Sequence, residues 1–160
     1  MNSPANAVHV TPLKWTGDAL LLLDQRLLPR EVVWVECRDA ASVAEAIRTM
    51  VVRGAPAIGV SAAYGIALAA MRGDDINAAA TLLKAARPTA VNLAWAVDRM
   101  TANGQRLTAN ESIEEAQRIH EEDLQGNRRL GRYGAELLGQ NSTILTHCNA
   151  GALATAGYGT

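Results

Sequence analysis

The sequence predicts an α/β protein whose mainly helical first domain carries a small antiparallel sheet and is followed by the start of a second α/β domain. Leu20–Leu23 and Val32–Val35 are short apolar runs separated by a polar, proline-containing stretch, which is typical of paired strands. Alanine-rich segments with helical spacing follow them. Ser142–Cys148 then has the pattern of a buried strand that enters a glycine turn, as at the opening of a parallel α/β unit.

Five helices are predicted between these strands. Asp39 or Ser42 can cap the first helix, whose apolar residues repeat at helical spacing as far as Met50. Pro56 suits the first turn of the second helix, because its missing N–H costs nothing there, and Gly73 is expected to end that helix.

Three further helices complete the first domain. Asp74–Ala86 is predicted to be helical, and Thr89 or Asn92 can cap the helix after it. A capping box at Ser112-x-x-Glu115 is expected to open a long polar helix that runs to about Leu138. We therefore place the first domain at residues 1–139 and the start of the second at residues 140–160.

Composition excludes several classes of protein. The 160 residues carry 15 basic and 16 acidic side chains, a net charge of −1, which provides no field for attracting nucleic acid or an anionic membrane. Glycine or charge interrupts the apolar stretches well short of a membrane span. Met1–Thr11 has no signal-peptide pattern, and Cys37 and Cys148 are too scattered to suggest a disulfide framework. We expect a cytoplasmic protein.

The first candidate site is the stretch Arg53-Gly54-Ala55-Pro56. Arginine supplies paired donors for a phosphate, Gly54 allows the backbone to approach an anion, and the helix N-terminus adds free N–H groups. A plain loop-to-helix junction with a surface arginine explains the same residues. Arg87, before Pro88, could aim a second guanidinium at the same anion or could simply be solvated.

Cys148 is the second candidate, because it lies at the C-terminal end of the predicted strand, where α/β proteins place catalytic groups. A thiol near a helix N-terminus can act as acid, base or nucleophile, although a cysteine can equally be inert packing. His147 points to the opposite face of a regular strand, whereas His120 could approach Cys148 in space. Cys37 is expected to be structural.

His120, Asp123 and Asn127 share one face of the long helix. They could form a hydrogen-bonded network that holds this helix to the next domain, or they could line or support the active site. The three histidines are scattered and have no zinc-ligand spacing, so no metal site is predicted.

Several of these segments resemble, in the same order, the methylthioribose-1-phosphate isomerase family. The similarity extends from about Leu13 onward over nearly the whole chain, and several motifs in order are far more specific than any one of them. The resembling segments are Met50–Gly59, Arg87–Leu93, Ile119–Asp123, Leu145–Thr155 and Gly157–Thr160.

The resemblance implies an enzyme, an aldose–ketose isomerase that converts 5-methylthioribose 1-phosphate to 5-methylthioribulose 1-phosphate in methionine salvage. It also implies a helical N-terminal domain with a small sheet, a Rossmann-like C-terminal domain, a homodimer, and no required metal or nucleotide cofactor. By motif match, Arg53, Gly54, Ala55 and Arg87 contact the substrate and its phosphate, and Cys148 is one of two catalytic side chains.

The second catalytic side chain of that family, an aspartate of the C-terminal domain, lies outside this sequence. We therefore expect a sheltered Cys148 that requires a carboxylate partner, and a 160-residue chain that is inactive alone. The alternatives are an isomerase of ribose 1,5-bisphosphate and a non-catalytic subunit similar to those of the translation-initiation guanine-nucleotide exchange factor. Cys148 and the Arg53 loop favour an isomerase. A cysteine hydrolase is disfavoured because the strand geometry denies it His147.

Overall fold

The computed structural model describes residues 10–102 and 108–159 and opens with a three-stranded antiparallel sheet. Its strands are β1 (Leu13–Trp15), β2 (Leu20–Leu23) and β3 (Trp34–Cys37), in the order β1-β2-β3. The antiparallel pairing and the bounds predicted for β2 are confirmed. β3 begins two residues after the predicted Val32, and the side chains of Val32 and Val33, which precede it, are exposed.

Five α-helices follow the sheet in the described part of the chain, as predicted. They are α1 (Ala40–Arg48), α2 (Ala55–Arg72), α3 (Ile76–Ala86), α4 (Val91–Thr101) and α5 (Ala109–Glu136). The carboxylate of Asp39 caps α1 by accepting the N–H of Ser42 at 2.7 Å. Gly73 ends α2 in the left-handed conformation. Both of these predicted helix boundaries are confirmed.

Two predicted caps were wrong. No side chain caps α4, which begins after Ala90 and not at Thr89 or Asn92. The capping box of α5 is formed by Thr108 and Glu111, whose carboxylate accepts the Thr108 N–H at 2.8 Å. Ser112 instead lies buried inside the first turn of α5, so it does not occupy the N-cap position that the sequence pattern had assigned to it.

α2 is the central helix of the fold and packs against α1, α3, α4 and α5. By length and composition it could span a membrane, but 72% of it is buried among the other helices, as in the core of a soluble protein. Small side chains allow its neighbours to approach. A methyl group added at Gly59 would lie only 2.9 Å from the carbonyl oxygen of Asn92 on α4.

The predicted strand Ser142–Cys148 is not formed. Residues 141–150 are exposed, and the next regular element is a three-residue 3-10 helix at Ala152–Ala154. A parallel strand needs a neighbour to pair with its N–H and C=O groups, and no neighbouring strand lies within residues 10–102 and 108–159. The apolar pattern could therefore not by itself produce a strand here.

The α2–α4 contact leads to a test with two glycine-to-alanine substitutions. Gly59→Ala should destabilise the protein by about 1–3 kcal/mol, because the methyl group forces the helices apart. Gly126→Ala is the matched control on α5, where the added methyl group would meet no described atom within 4 Å outside its own stretch of helix. It should stabilise by about 0.5–1 kcal/mol through helix propensity. Urea unfolding measures both. Equal effects of the two substitutions would contradict close packing at Gly59.

Candidate functional site

The start of α2 is in direct contact with the last part of the chain. Gly54 precedes α2 with φ of 93°, a conformation that favours glycine. A methyl group added there would lie 2.4 Å from both the Cα and the carbonyl oxygen of Ala154. Gly54 is therefore needed twice, once for its backbone angle and once because the backbone at Ala154 rests on it.

A hollow of about 220 Å³, which we call the Arg53 hollow, lies beside this contact. Arg53 is exposed, and among the described residues its guanidinium has no ion-pair partner. The side-chain amide of Gln25 donates to the carbonyl oxygen of Leu153 at 2.8 Å and ties the two sides together. The lining residues are Gln25, Leu28, Arg53, Asn149, Ala150, Leu153 and Ala154.

The other predicted anion contacts are placed differently. Ala55 is the first residue of α2 and is exposed next to the hollow-lining Arg53. Arg87 lies at the C-terminal end of α3, is partly buried, and does not line the Arg53 hollow. Its carbonyl oxygen accepts the N–H of Ala90 at 3.0 Å, in the turn that leads into α4. The structure thus brings Arg53 to the hollow and Gly54 into contact with its wall at Ala154, but it does not bring Arg87 there.

Cys148 is exposed, so the expectation of a sheltered thiol was wrong for this structure. Its backbone has φ of 64°, and the residue after it, Asn149, lines the Arg53 hollow. Exposure follows from the unformed strand, since nothing in the described part of the chain covers residues 141–150. Cys37 is buried in the core, where desolvation raises its thiol pKa to about 11, and its predicted structural role is confirmed.

The polar face of α5 binds the segment after Ala154. The carboxylate of Asp123 accepts the N–H of Ala156 at 2.7 Å, and Nε2 of His120 lies 3.2 Å from the carbonyl oxygen of the same residue. Nδ1 of His120 is 3.1 Å from the hydroxyl of Tyr64 on α2. The polar face predicted on this helix therefore does form a network, and both ring nitrogens of His120 have contacts other than Cys148.

Burial governs the electrostatics of this network. It lowers the pKa of His120, against smaller opposing effects of the Ala156 carbonyl and of nearby carboxylates. It raises the pKa of Asp123, although the Ala156 amide favours the charged form, and it raises the pKa of Tyr64 to about 12. Asn127 is buried one turn further along, and its side chain, like the Ala156 amide, favours the charged form of Asp123.

A second hollow, of about 450 Å³, lies between α2, α4 and α5. It is mainly apolar, with half-exposed Trp95 on one side and Asp123 reaching it from the polar face of α5. Across residues 10–102 and 108–159, no three His, Cys, Asp or Glu side chains cluster closely enough to hold a metal ion. The hollow is lined by Pro56, Gly59, Val60, Val91, Asn92, Trp95, Ile119, Glu122 and Asp123.

Sequence reasoning missed two residues that hold the site together. Gln25 carried no signal, since an isolated glutamine in a loop has no pattern that points to a contact 128 residues away. A weak signal pointed to Tyr64, because it is the single aromatic residue of α2, whose other residues are mostly small or aliphatic. Its ring stacks on Trp15 with 5.0 Å between centroids, and its hydroxyl orients His120.

Comparison with known proteins places these features in a family. Residues 51–156, which include the Arg53 loop, Cys148 and the α5 polar face, match the Initiation factor 2 subunit family. The chain belongs to this family. Gly54 and Ala154 both lie within the matched residues, so the family segment includes the contact between the start of α2 and the last part of the chain.

Individual relatives within the Initiation factor 2 subunit family confirm the resemblance to methylthioribose-1-phosphate isomerases. The protein of that name from Alkalilimnicola ehrlichii is 53% identical over an alignment of 165 positions that covers 94% of this chain and 47% of the relative. The one from Alcanivorax borkumensis is 50% identical over an alignment of 166 positions that covers 96% of this chain and 47% of the relative. The chain thus spans about half the length of these relatives.

Two solved structures of similar fold carry different names. The 5-methylthioribose 1-phosphate isomerase from Pyrococcus horikoshii superposes with a TM-score of 0.84 at 38% identity, covering 94% of this chain and 46% of that one. The delta subunit of translation initiation factor eIF-2B from A. fulgidus gives 0.80 at 39% identity, covering 94% and 48%. Proteins of both names therefore share this fold, so the fold alone does not indicate which function a member of the family has.

The buried histidine leads to a prediction about pH. Because the pKa of His120 is lowered in the folded state, the unfolded chain takes up this proton first as the pH falls. The free energy of unfolding that neutral His120 contributes should therefore be fully present above its ordinary pKa of 6.5. This contribution should be lost as the pH falls from 6.5 through the lowered pKa of the folded state. His120→Gln keeps a donor for Ala156 but cannot titrate, and should remove this part of the pH dependence. Urea unfolding at about pH 7.5 and about pH 5.5 measures it. An unchanged slope in the variant would contradict the assignment.

Proposed function

We propose that this chain is the N-terminal part of a cytoplasmic aldose–ketose isomerase that acts on 5-methylthioribose 1-phosphate in methionine salvage. The observation that carries the proposal is the Arg53 hollow, where a guanidinium with no ion-pair partner in residues 10–102 and 108–159 lies at a helix start, opposite the segment that follows Cys148. The half-length similarity to proteins named for this reaction supports it. A homodimer without a cofactor completes the proposal.

The chemistry requires firm binding of the phosphate. A sugar whose anomeric oxygen carries phosphate cannot open to a free aldehyde, and the product, a ketose 1-phosphate, keeps that phosphate. The bond between C1 and the ring oxygen must therefore break with protonation of that oxygen, while hydrogen moves from C2 to C1 and the C2 hydroxyl loses its proton to become the ketone. Arg53 offers paired donors for that phosphate, and the N–H groups at the start of α2 add to the attraction. Ala55 joins them as a backbone contact, and Arg87 joins them if substrate binding moves the α3–α4 turn. Cys148 supplies an acid or base at the sugar carbons.

We propose two domains, residues 1–139 and a Rossmann-like domain that begins at 140. The exposure of apolar residues supports this division, since Ile144 is 60% exposed and Leu145 is 97% exposed. Partner strands would cover these side chains and shelter the adjacent Cys148. The carboxylate that works with Cys148 would come from that domain, so we propose that the 160-residue chain binds phosphate but does not turn over substrate alone.

The role of Arg53 is tested with inorganic phosphate. Arg53→Gln should weaken phosphate binding by about tenfold or more, since hydrogen bonds to a charged group contribute about 1.5–3 kcal/mol. Arg129→Gln is the matched control, an equally exposed arginine of α5 that lines neither hollow. Two-dimensional NMR titration reports affinity and location together. Equal affinity of the two variants would remove the hollow as the phosphate site.

The role of Cys148 is tested in a fusion of this chain to the half of the Alkalilimnicola ehrlichii relative that it does not match. The fusion should isomerise 5-methylthioribose 1-phosphate, and Cys148→Ser should lower turnover by about a hundredfold or more because acid–base catalysis is lost. Cys37→Ala, which changes the buried thiol, should leave turnover nearly unchanged. NMR detection of the ketose follows the reaction.

Two results would reject the isomerase proposal. An inactive fusion that still folds and binds phosphate would indicate that the chain does not carry this chemistry. An inactive fusion that binds no phosphate but binds a protein partner tightly would favour the regulatory-subunit alternative, whose fold is shared.

A further inference from the structure

The segment from Cys148 to Gly159 has little regular structure to hold it in place. Its only regular element is the 3-10 helix Ala152–Ala154, and it pairs with no strand of the described sheet. It is nonetheless closely packed, since Ala154, Thr155 and Ala156 are each no more than 3% exposed. Side chains from elsewhere must therefore fix the backbone of this segment.

The main attachment is at Ala156, where both backbone polar groups are bound by side chains of α5. Asp123 accepts the N–H at 2.7 Å, and His120, one turn earlier on the same face, contacts the carbonyl oxygen at 3.2 Å. A bond to a carboxylate is stronger than one between neutral groups. Two side chains that hold one peptide unit from both sides restrict its rotation as well as its position.

The hydroxyl of Tyr64 sets the orientation of the His120 ring through Nδ1. The carbonyl oxygen of Ala156 can only accept, so the hydrogen of the neutral ring must lie on Nε2. Nδ1 then accepts from the hydroxyl of Tyr64, 3.1 Å away. The Tyr64 ring is itself fixed by its stack on Trp15 of β1. A continuous path of contacts thus runs from the sheet to Ala156.

The attached segment forms one wall of the Arg53 hollow. Ala154, two residues before Ala156, lies against Gly54, and Leu153 accepts from Gln25. Asn149, Ala150, Leu153 and Ala154 line the hollow on this side. Movement of Ala156 would therefore change the distance between this wall and Arg53.

We propose that His120 and Asp123 are positioning residues that fix the Asn149–Ala154 wall of the Arg53 hollow by binding both backbone polar groups of Ala156. They do not touch the phosphate, and they act by holding the peptide that faces Arg53. The inference rests on the proposed function in taking the hollow as a phosphate site. The position of the wall can be measured without any ligand.

The test compares Asp123→Ala with Asp123→Asn, which keeps an oxygen that can accept the Ala156 N–H. Glu121→Ala is the control, because it removes an exposed carboxylate from the same helix and binds no residue of the wall. Two NMR readouts are used on the folded 17.0 kDa chain, the cross-relaxation between Gly54 and Ala154 protons and the titration with inorganic phosphate. Circular dichroism selects conditions in which every variant is fully folded.

Asp123→Ala should lose the Gly54–Ala154 cross-peak and bind phosphate about tenfold more weakly, because the wall must be ordered again on binding. Asp123→Asn should keep most of the cross-peak intensity and most of the phosphate affinity, and Glu121→Ala should change neither quantity. A folded Asp123→Ala that keeps the cross-peak and the affinity would overturn the positioning role. If the unaltered chain binds no phosphate, the proposed function fails, and the cross-peak alone still decides whether Asp123 holds the wall.

Discussion

The structure depends on how closely other backbones can approach α2. At Gly59 the carbonyl of Asn92 lies where a side chain would begin, and at Gly54 the backbone of Ala154 does the same. The first contact joins α4 to the central helix, and the second joins the final segment to the start of that helix. One contact lies just before α2 and the other within its first turns. The same end of α2 therefore packs against α4 and forms part of the candidate site.

Tyr64 shows how a polar group connects layers in a core made mostly of small side chains. The chain has three tryptophans, three tyrosines and no phenylalanine, so few side chains can bridge a sheet and a distant helix. The Tyr64 ring stacks on Trp15 of the sheet, and its hydroxyl bonds to His120 of α5. Loss of water raises the pKa of the hydroxyl to about 12, so it remains a donor at physiological pH.

Helices were predictable because their signals are local. Asp39 and Gly73 act through neighbours within four residues, and the predicted boundaries at both are confirmed. The caps predicted for α4 and α5 were wrong, because α4 begins after Ala90 with no side-chain cap and Thr108, not Ser112, caps α5. The strand at Ser142–Cys148 failed for a different reason, because a strand needs a partner and the described chain provides none. Local signals indicated the Arg53 loop of the hollow, whereas its opposite wall after Cys148 was indicated only by the family resemblance.

That opposite wall shows where sequence patterns stop being informative. Gln25 reaches Leu153 across 128 positions, and Asp123 reaches Ala156 across 33, in both cases by a side chain bound to a backbone group. Any residue but proline offers the same backbone groups, so the bound partner leaves no trace in its own sequence. What can be detected is the side chains that bind the backbone, here a carboxylate and a histidine on the inner face of a helix. Buried polar groups need partners, so such a face indicates that an irregular segment is bound there even before that segment can be named. Here the segment is the one that follows Cys148 and lines the Arg53 hollow.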